Sequence, residues 1–287
     1  MTRISATPGG VYFSLVKNPP GIKTTHFTVS LCLLLCLLPG LSGASTENVA
    51  AASEQGSECV ILLHGLARSA GSMEKMADRL TQAGYLVANI DYPSREDNVE
   101  TLATFAFDQG LAQCKSKAGD SARVHVVTHS MGGILVRQYL RNHPAAISGR
   151  VVMLAPPNKG SEVVDKFRNL PGFEWLNGPA GRQLGTGSES VPRSLGAADF
   201  DVGIIAGTRS INLLLSQQLP NPDDGKVSVE SARLEGMCDF MTVAVSHPFI
   251  MRNNKVIGEV SHYLANGSFN NSSTVDRDSL PAHCTSQ

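Results

Sequence analysis

The stretch Val127-Thr128-His129-Ser130-Met131-Gly132-Gly133 decides the fold. Before it runs a β-branched apolar segment, Arg123–Thr128, which reads as a strand. After it, Gly132–Asn142 has helical periodicity and is ended by Pro144. Ser130 therefore lies where a strand stops and a helix begins. On so sharp a turn a serine has its hydroxyl thrust out above the sheet, and its neighbours must be small because strand and helix crowd the turn. Position 128 is Thr where the usual pattern has Gly, the one place where the match slips. The competing reading of Ser130 is a helix N-cap in front of Gly132-Gly133.

Outward from this turn, apolar runs alternate with amphipathic stretches. Val60–His64, Tyr85–Tyr92, Arg150–Ala155, Asp201–Ala206 and Phe240–Ser246 read as further strands. Ser72–Ala83, Asn98–Cys114 and Val256–Ala265 read as helices, the second with Leu102, Phe105, Ala106 and Gln109 along one side. This alternation implies βαβ units and a mostly parallel sheet covered by helices on both faces, an α/β domain spanning residues 58–267. Asn158–Ala198 breaks the rhythm: it is rich in Gly, Pro and Ser, holds Phe167, Phe173 and Trp175, and is too long for a plain connection. It leaves the carboxyl end of the fourth strand and so lies above Ser130. It is either a cap- or lid-like insertion whose aromatic residues line an acyl pocket, or a surface excursion that those residues pin down. Residues 268–287 read as a polar, weakly ordered tail that Cys284 tethers.

A serine hydroxyl is a weak nucleophile without a base beside it, and the base needs an orienting acid. In a sheet of this order the acid follows the fifth strand and the histidine the sixth. Asp224 stands immediately before Gly225 in the loop Pro220–Ala232, where the glycine permits a turn that aims the carboxylate inward. Asp223, one residue away and facing elsewhere, is the reserve acid, and a solvated turn is the bland reading of either. Asp239 opens the sixth strand and belongs to the wrong end of the sheet. His247 closes the sixth strand before Pro248, level with Ser130, whereas His262 lies off the apolar face of the last helix and His283 is in the tail. His64-Gly65-Leu66 ends the first strand, so the Leu66 amide and the Met131 amide can face one point and bind an oxyanion. His64 reads as a structural hydrogen-bonding residue. His125 and His129 share a strand face, but no third ligand or carboxylate accompanies them, so no metal site is expected.

With these residues in place, the chain resembles the α/β-hydrolase superfamily, and within it the bacterial lipases and esterases. The pieces are HGLARSAGS (64–72), VTHSMGG (127–133), APPNKGSEVVD (155–165), PDDGKVSVESA (222–232) and SHPFIM (246–251). The resemblance implies an α/β-hydrolase fold, Ser130 as nucleophile, His247 as base, Asp224 as its acid, backbone amides of Leu66 and Met131 as the oxyanion hole, and no cofactor. The implied activity is cleavage of carboxylic esters, lipids among them, through an acyl-enzyme. Two alternatives stay open: acyl transfer or thioester cleavage on the same residues, and a catalytically inactive interaction protein.

Composition narrows the setting. The chain has 287 residues, 42% hydrophobic and 17% charged, which is enough to build a sizeable core. Its cations are scattered and the net charge is −1, so nucleic acid is a poor partner. Residues 1–44 carry Arg3, Lys17 and Lys23 but no acid, then an apolar run Phe27–Leu38, then Ser42-Gly43-Ala44. Positive, apolar, small is the order of a secretory signal peptide, with cleavage after Ala44, a linker over 45–57 and export to periplasm or medium. An uncleaved anchor is the alternative, although the run is shorter than the roughly 20 residues that a spanning helix needs. Such a protein touches membranes, if at all, transiently through its lipid substrate. Cys59, Cys114, Cys238 and Cys284 remain after the leader, an even number that permits two disulfides in three pairings. Cys59–Cys114 with Cys238–Cys284 closes two moderate loops and is the expected pairing, with buried free thiols as the alternative.

Overall fold

Alternating burial along the strands divides the interior into two layers. On β1 (Glu58–Leu63), Cys59, Ile61 and Leu63 face one apolar cluster while Val60 and Leu62 face another. That is the two-residue period of a strand buried on both sides. The computed structural model describes residues 57–211, 219–220, 222–270 and 280–284. The expected leader at 1–44 and all but the last residue of the expected linker lie outside the described residues.

The elements follow in order: α1 (Glu74–Gln82), β2 (Leu86–Ile90), α2 (Val99–Ala118), β3 (Arg123–His129), α3 (Met131–Asn142) and β4 (Val151–Leu154). After β4 come α4 (Glu162–Phe167), α5 (Phe173–Gln183), α6 (Val191–Ser194), β5 (Val202–Gly207), α7 (Val229–Ala232), β6 (Asp239–Val243) and α8 (Asn254–Asn266). The strands form one sheet in the order β2-β1-β3-β4-β5-β6, and every pairing is parallel. Helices α2 and α3 cover one face; α1 and α8 cover the other. No helix among the described residues is long and apolar enough to cross a membrane.

One expectation needs correction. The buried side of α2 is Val99, Leu102, Ala103, Ala106, Phe107, Gly110 and Cys114, while Phe105 is 41% exposed and Gln109 is exposed. The helix lies so close to the sheet that a Cβ at Gly110 would sit 2.8 Å from Ile61 Cγ2, and Cys114 is bonded to Cys59 on β1. The face is set by a glycine and a disulfide, which carry little apolar signal. In the tail, the expected tether through Cys284 is present among the described residues. Phe269 is buried against Tyr263, its amide donates to Asp239 Oδ2 at 2.8 Å, and Cys284 is bonded to Cys238. Both expected disulfides therefore form.

The insertion between β4 and β5 is folded as α4, α5 and α6 and is held from below by Arg137 of α3. This buried guanidinium donates to the carbonyls of Asn158, Pro192 and Gly196 at 3.0, 3.0 and 2.7 Å. It has no carboxylate partner in these bonds, and burial lowers its pKa to about 10. Ala180 and Leu184 of the insertion are buried, but Trp175 is 85% exposed and points away from the core.

Candidate active site

Parallel strands deliver their following loops to one edge, so the ends of β1, β3, β5 and β6 converge there. Ser130 follows β3 with φ 54° and ψ −121°, in the left-handed region that non-glycine residues rarely adopt. Its amide donates to Leu154 O at 2.8 Å, and its carbonyl accepts from Gly133 at 2.9 Å, which fixes the turn from both sides. The small residue expected two positions later is required by contact: a Cβ at Gly132 would sit 2.9 Å from the Leu63 carbonyl. Thr128, the departure from the usual pattern, is accommodated within β3 fully buried, and its Oγ1 has no hydrogen-bond partner.

His247 opens a 3-10 turn (His247–Arg252) just beyond β6. Its Nδ1 donates to Asp224 Oδ2 at 2.7 Å, which leaves Nε2 to accept from the Ser130 hydroxyl at 2.9 Å. The three side chains expected to meet therefore form one continuous hydrogen-bonded chain, although Ser130 and His247 are 117 residues apart in sequence. Asp224 is fixed independently of the histidine. Its Oδ1 accepts from the amides of Lys226 and Val227 at 3.0 and 2.9 Å, and its carbonyl accepts from the His247 amide at 3.0 Å. Gly225, with φ +95°, makes the turn that allows this wrapping. The reserve acid Asp223 turns the other way, and its Oδ1 accepts from the Gly225 amide at 2.7 Å. Asp239 lies at the opposite end of the sheet, bonded to the amides of Phe240 and Phe269.

Leu66 and Met131 both lie at this edge. Met131 is the first residue of α3, where a backbone N–H has no acceptor within the helix. His64 is structural, as its place in the sequence suggests. Its ring stacks on Tyr92 at 4.1 Å, its Nδ1 donates to Gly65 O at 2.9 Å, and the Tyr92 hydroxyl donates to His64 O at 2.5 Å. These bonds hold the strand end that presents Leu66. His125 sits at the far end of β3, where its Nδ1 accepts from the Arg150 amide at 3.0 Å.

One site residue has a role that the sequence does not reveal. His129, fully enclosed next to Ser130, donates from Nε2 to the His247 carbonyl at 3.1 Å, with the two rings 4.8 Å apart. Its Nδ1 is buried without a partner. Burial first, then the nearby His247 and Arg68, hold its pKa well below the ordinary histidine value, so it stays neutral beside His247. It braces His247 without adding charge. Its neighbour Ser130 was the available signal, but the contact joins the ends of two different strands.

Above the serine lies a cleft of about 90 Å³. Leu66, Val164, Phe173, Leu184 and Val227 form its apolar wall; Ser130 and His247 are on its surface, and Arg68 and Lys226 also line it. The insertion thus lines the site through α4 and α5, but with Phe173 and not Trp175. Arg68 is shared with a broader open groove of about 800 Å³ bounded by Tyr92 and Trp175.

Comparisons with known proteins agree with this architecture. The family model described as serine aminopeptidase, S33, matches residues 54–191. A Bacillus licheniformis lipase in its mature form superposes with a TM-score of 0.57 at 22% identity, covering 74% of this chain and 93% of that one. An Aspergillus fumigatus lipase B gives 0.58 at 18% identity, over 80% of this chain and 59% of that one. A metagenomic carboxyl esterase gives 0.52 at 17% identity, over 74% and 71%. No curated protein matches the chain by sequence. With its parallel sheet, its strand-turn-helix serine and these structural neighbours, the chain has the α/β-hydrolase fold, similar in architecture to those lipases and that esterase.

Proposed function

We propose that the protein hydrolyses carboxylic esters through an acyl-enzyme formed on Ser130. The observation that carries this reading is the unbroken chain Asp224–His247–Ser130, with contacts of 2.7 and 2.9 Å, at the floor of a cleft. In this mechanism His247 Nε2 takes the hydroxyl proton as Ser130 Oγ attacks the ester carbonyl. Asp224 stabilises the imidazolium and holds its orientation. The Leu66 and Met131 amides receive the negative charge on the carbonyl oxygen, an arrangement worth about 3 kcal/mol per donor. The imidazolium then protonates the departing alcohol, and water, activated by the same histidine, releases the acid. No metal or cofactor enters these steps.

The cleft holds about 90 Å³, well below the roughly 300–1,000 Å³ of drug-sized ligand pockets, which suits a short acyl chain. Export is part of the proposal, supported by disulfides Cys59–Cys114 and Cys238–Cys284. The test combines labelling with turnover. An active-site serine phosphonate is expected to label the wild type and not Ser130→Ala. On nitrophenyl esters of rising acyl length, the wild type is expected to favour the short members, and Phe173→Ala to move the optimum to longer ones. Labelling that survives Ser130→Ala overturns the nucleophile assignment. A length profile indifferent to Phe173→Ala overturns the acyl-pocket assignment.

A further inference from the structure

The cleft carries two cations that the hydrolytic chemistry does not use. Arg68 follows the oxyanion loop, and Lys226 follows Asp224; both are exposed, and both line the cleft that holds Ser130. Neither makes an ion pair or a side-chain hydrogen bond among the described residues. Nearby Lys159, Arg168 and Arg182 are each matched by a carboxylate: Glu230, Asp165 and Glu174. The two cleft cations lie close enough to oppose each other's charge, and both act on His129. No carboxylate lines the cleft, since Asp224 is buried beneath His247 and occupied by it. Asp224 attracts Lys226 from beneath and offsets part of this repulsion, but no carboxylate stands in the cleft itself, so the two like charges favour an anion that enters between them.

The division of the cleft says which part of a substrate bears that anion. Its inner wall, Val164, Phe173 and Leu184, is apolar and suits the acyl chain. The cations are exposed at the rim, where the alcohol portion would leave; Arg68 also borders the open groove, whose lining further out includes Asp91 and Glu96, so the anion is held at the rim and not in the groove. We propose that the enzyme selects esters whose alcohol portion carries an anionic group, a phosphate or a carboxylate, held between Arg68 and Lys226. This rests on the ester-hydrolysis reading of the same site.

The test compares butyryl glycerol, butyryl glycerol phosphate and butyryl lactate, with butyrate release measured for the wild type, Arg68→Gln, Lys226→Gln and the double variant. The readout is the ratio of kcat/KM, anionic ester over neutral ester, which cancels any general effect on catalysis. In the wild type the ratio is expected to be about tenfold or more and to shrink as salt is raised. Each single variant is expected to lower it, the double variant to bring it near one, and Arg68→Lys to keep most of it. Preference for both anions identifies charge alone as the feature read, whereas preference for the phosphate alone identifies a phosphate-bearing alcohol. Equal turnover of the neutral and anionic esters by wild type, or a ratio that survives the double substitution, overturns the inference. If Ser130 is labelled by the phosphonate but none of the three esters is cleaved, this inference alone fails. Absence of labelling overturns the reading beneath it.

Discussion

The two ends of the sheet are built on opposite rules. At the amino end, buried polar groups are answered by partners. Arg150 reaches Asp201 Oδ2 through Nε at 3.2 Å and the Leu264 carbonyl through Nη1 at 2.7 Å, and the Tyr263 hydroxyl donates to Asp201 Oδ1 at 2.6 Å. His125 there contacts both Glu58 and the Arg150 amide. At the carboxyl end, Ser130 and the neighbouring loop residues Ala67 and Ala155 hold positive φ. Thr128 Oγ1 and His129 Nδ1 are buried without partners, and two cations line one cleft. One end is satisfied and the other is poised. With the proposed chemistry at the carboxyl end, stability and reactivity are separated along the strand axis, so substitutions at each end are expected to report on different quantities.

The largest expected effect lies at the poised end. Asp224→Asn is expected to lower kcat/KM about ten-thousandfold, because the imidazole loses its orienting carboxylate, with little change in the unfolding midpoint. Asp223→Asn, one residue away and facing the other way, is expected to keep most of the activity. Equal losses in steady-state assays would collapse the distinction between the two aspartates.

Next comes the satisfied end. Arg150→Ala strands the buried Asp201 carboxylate and is expected to cost about 3–5 kcal/mol in denaturant unfolding, with kcat/KM in the surviving native fraction scarcely altered. An activity loss per folded molecule comparable to that of Asp224→Asn would break the comparison.

The pH dependence of stability sharpens it further. Burial lowers the pKa of His125 to about 4 and depresses His64 and His129. An unfolded chain binds protons at these imidazoles near pH 6.5, as the folded chain does not. Stability is therefore expected to fall as pH drops below about 6.5, with the His125 share complete near pH 4. Asp201, whose carboxyl burial raises against the pull of Tyr263 and Arg150, works in the opposite direction and offsets part of the fall. Thermal unfolding from pH 7 down to 5 is expected to show a shallower decline in His125→Gln than in wild type. Parallel curves would remove His125 from the account.

The smallest effect concerns the residue that departs from the usual turn. Thr128→Val replaces a buried hydroxyl that has no partner with an isostere and is expected to stabilise by about 1 kcal/mol. Destabilisation in the same unfolding assay would mean that the hydroxyl does find a partner.

Much of this was legible because it is local. Strand runs such as Val60–His64 and the Ser130 turn are written in neighbouring residues, as are Gly225 beside Asp224 and Pro248 beside His247. Chain order then assigned each loop to a strand. What escaped was contact between elements. Phe105 reads as core by spacing, yet the buried face of α2 is chosen by the close approach of Gly110 to Ile61. Trp175 reads as a pocket residue, yet Phe173, two positions earlier, is the one turned into the cleft. His129 reads only as the residue before Ser130, because its bond to the His247 carbonyl spans 118 positions.

By itself the sequence determined which residue types stand at the carboxyl ends of which strands, since period, punctuation and order are properties of the chain read along its length. The tertiary structure alone decided the 2.7 and 2.9 Å contacts that join Asp224, His247 and Ser130, the bracing by His129, and the pairing of Arg68 with Lys226 across one cleft. Those depend on how parallel strands are stacked side by side, and distance between strands is written in packing, not in any one segment.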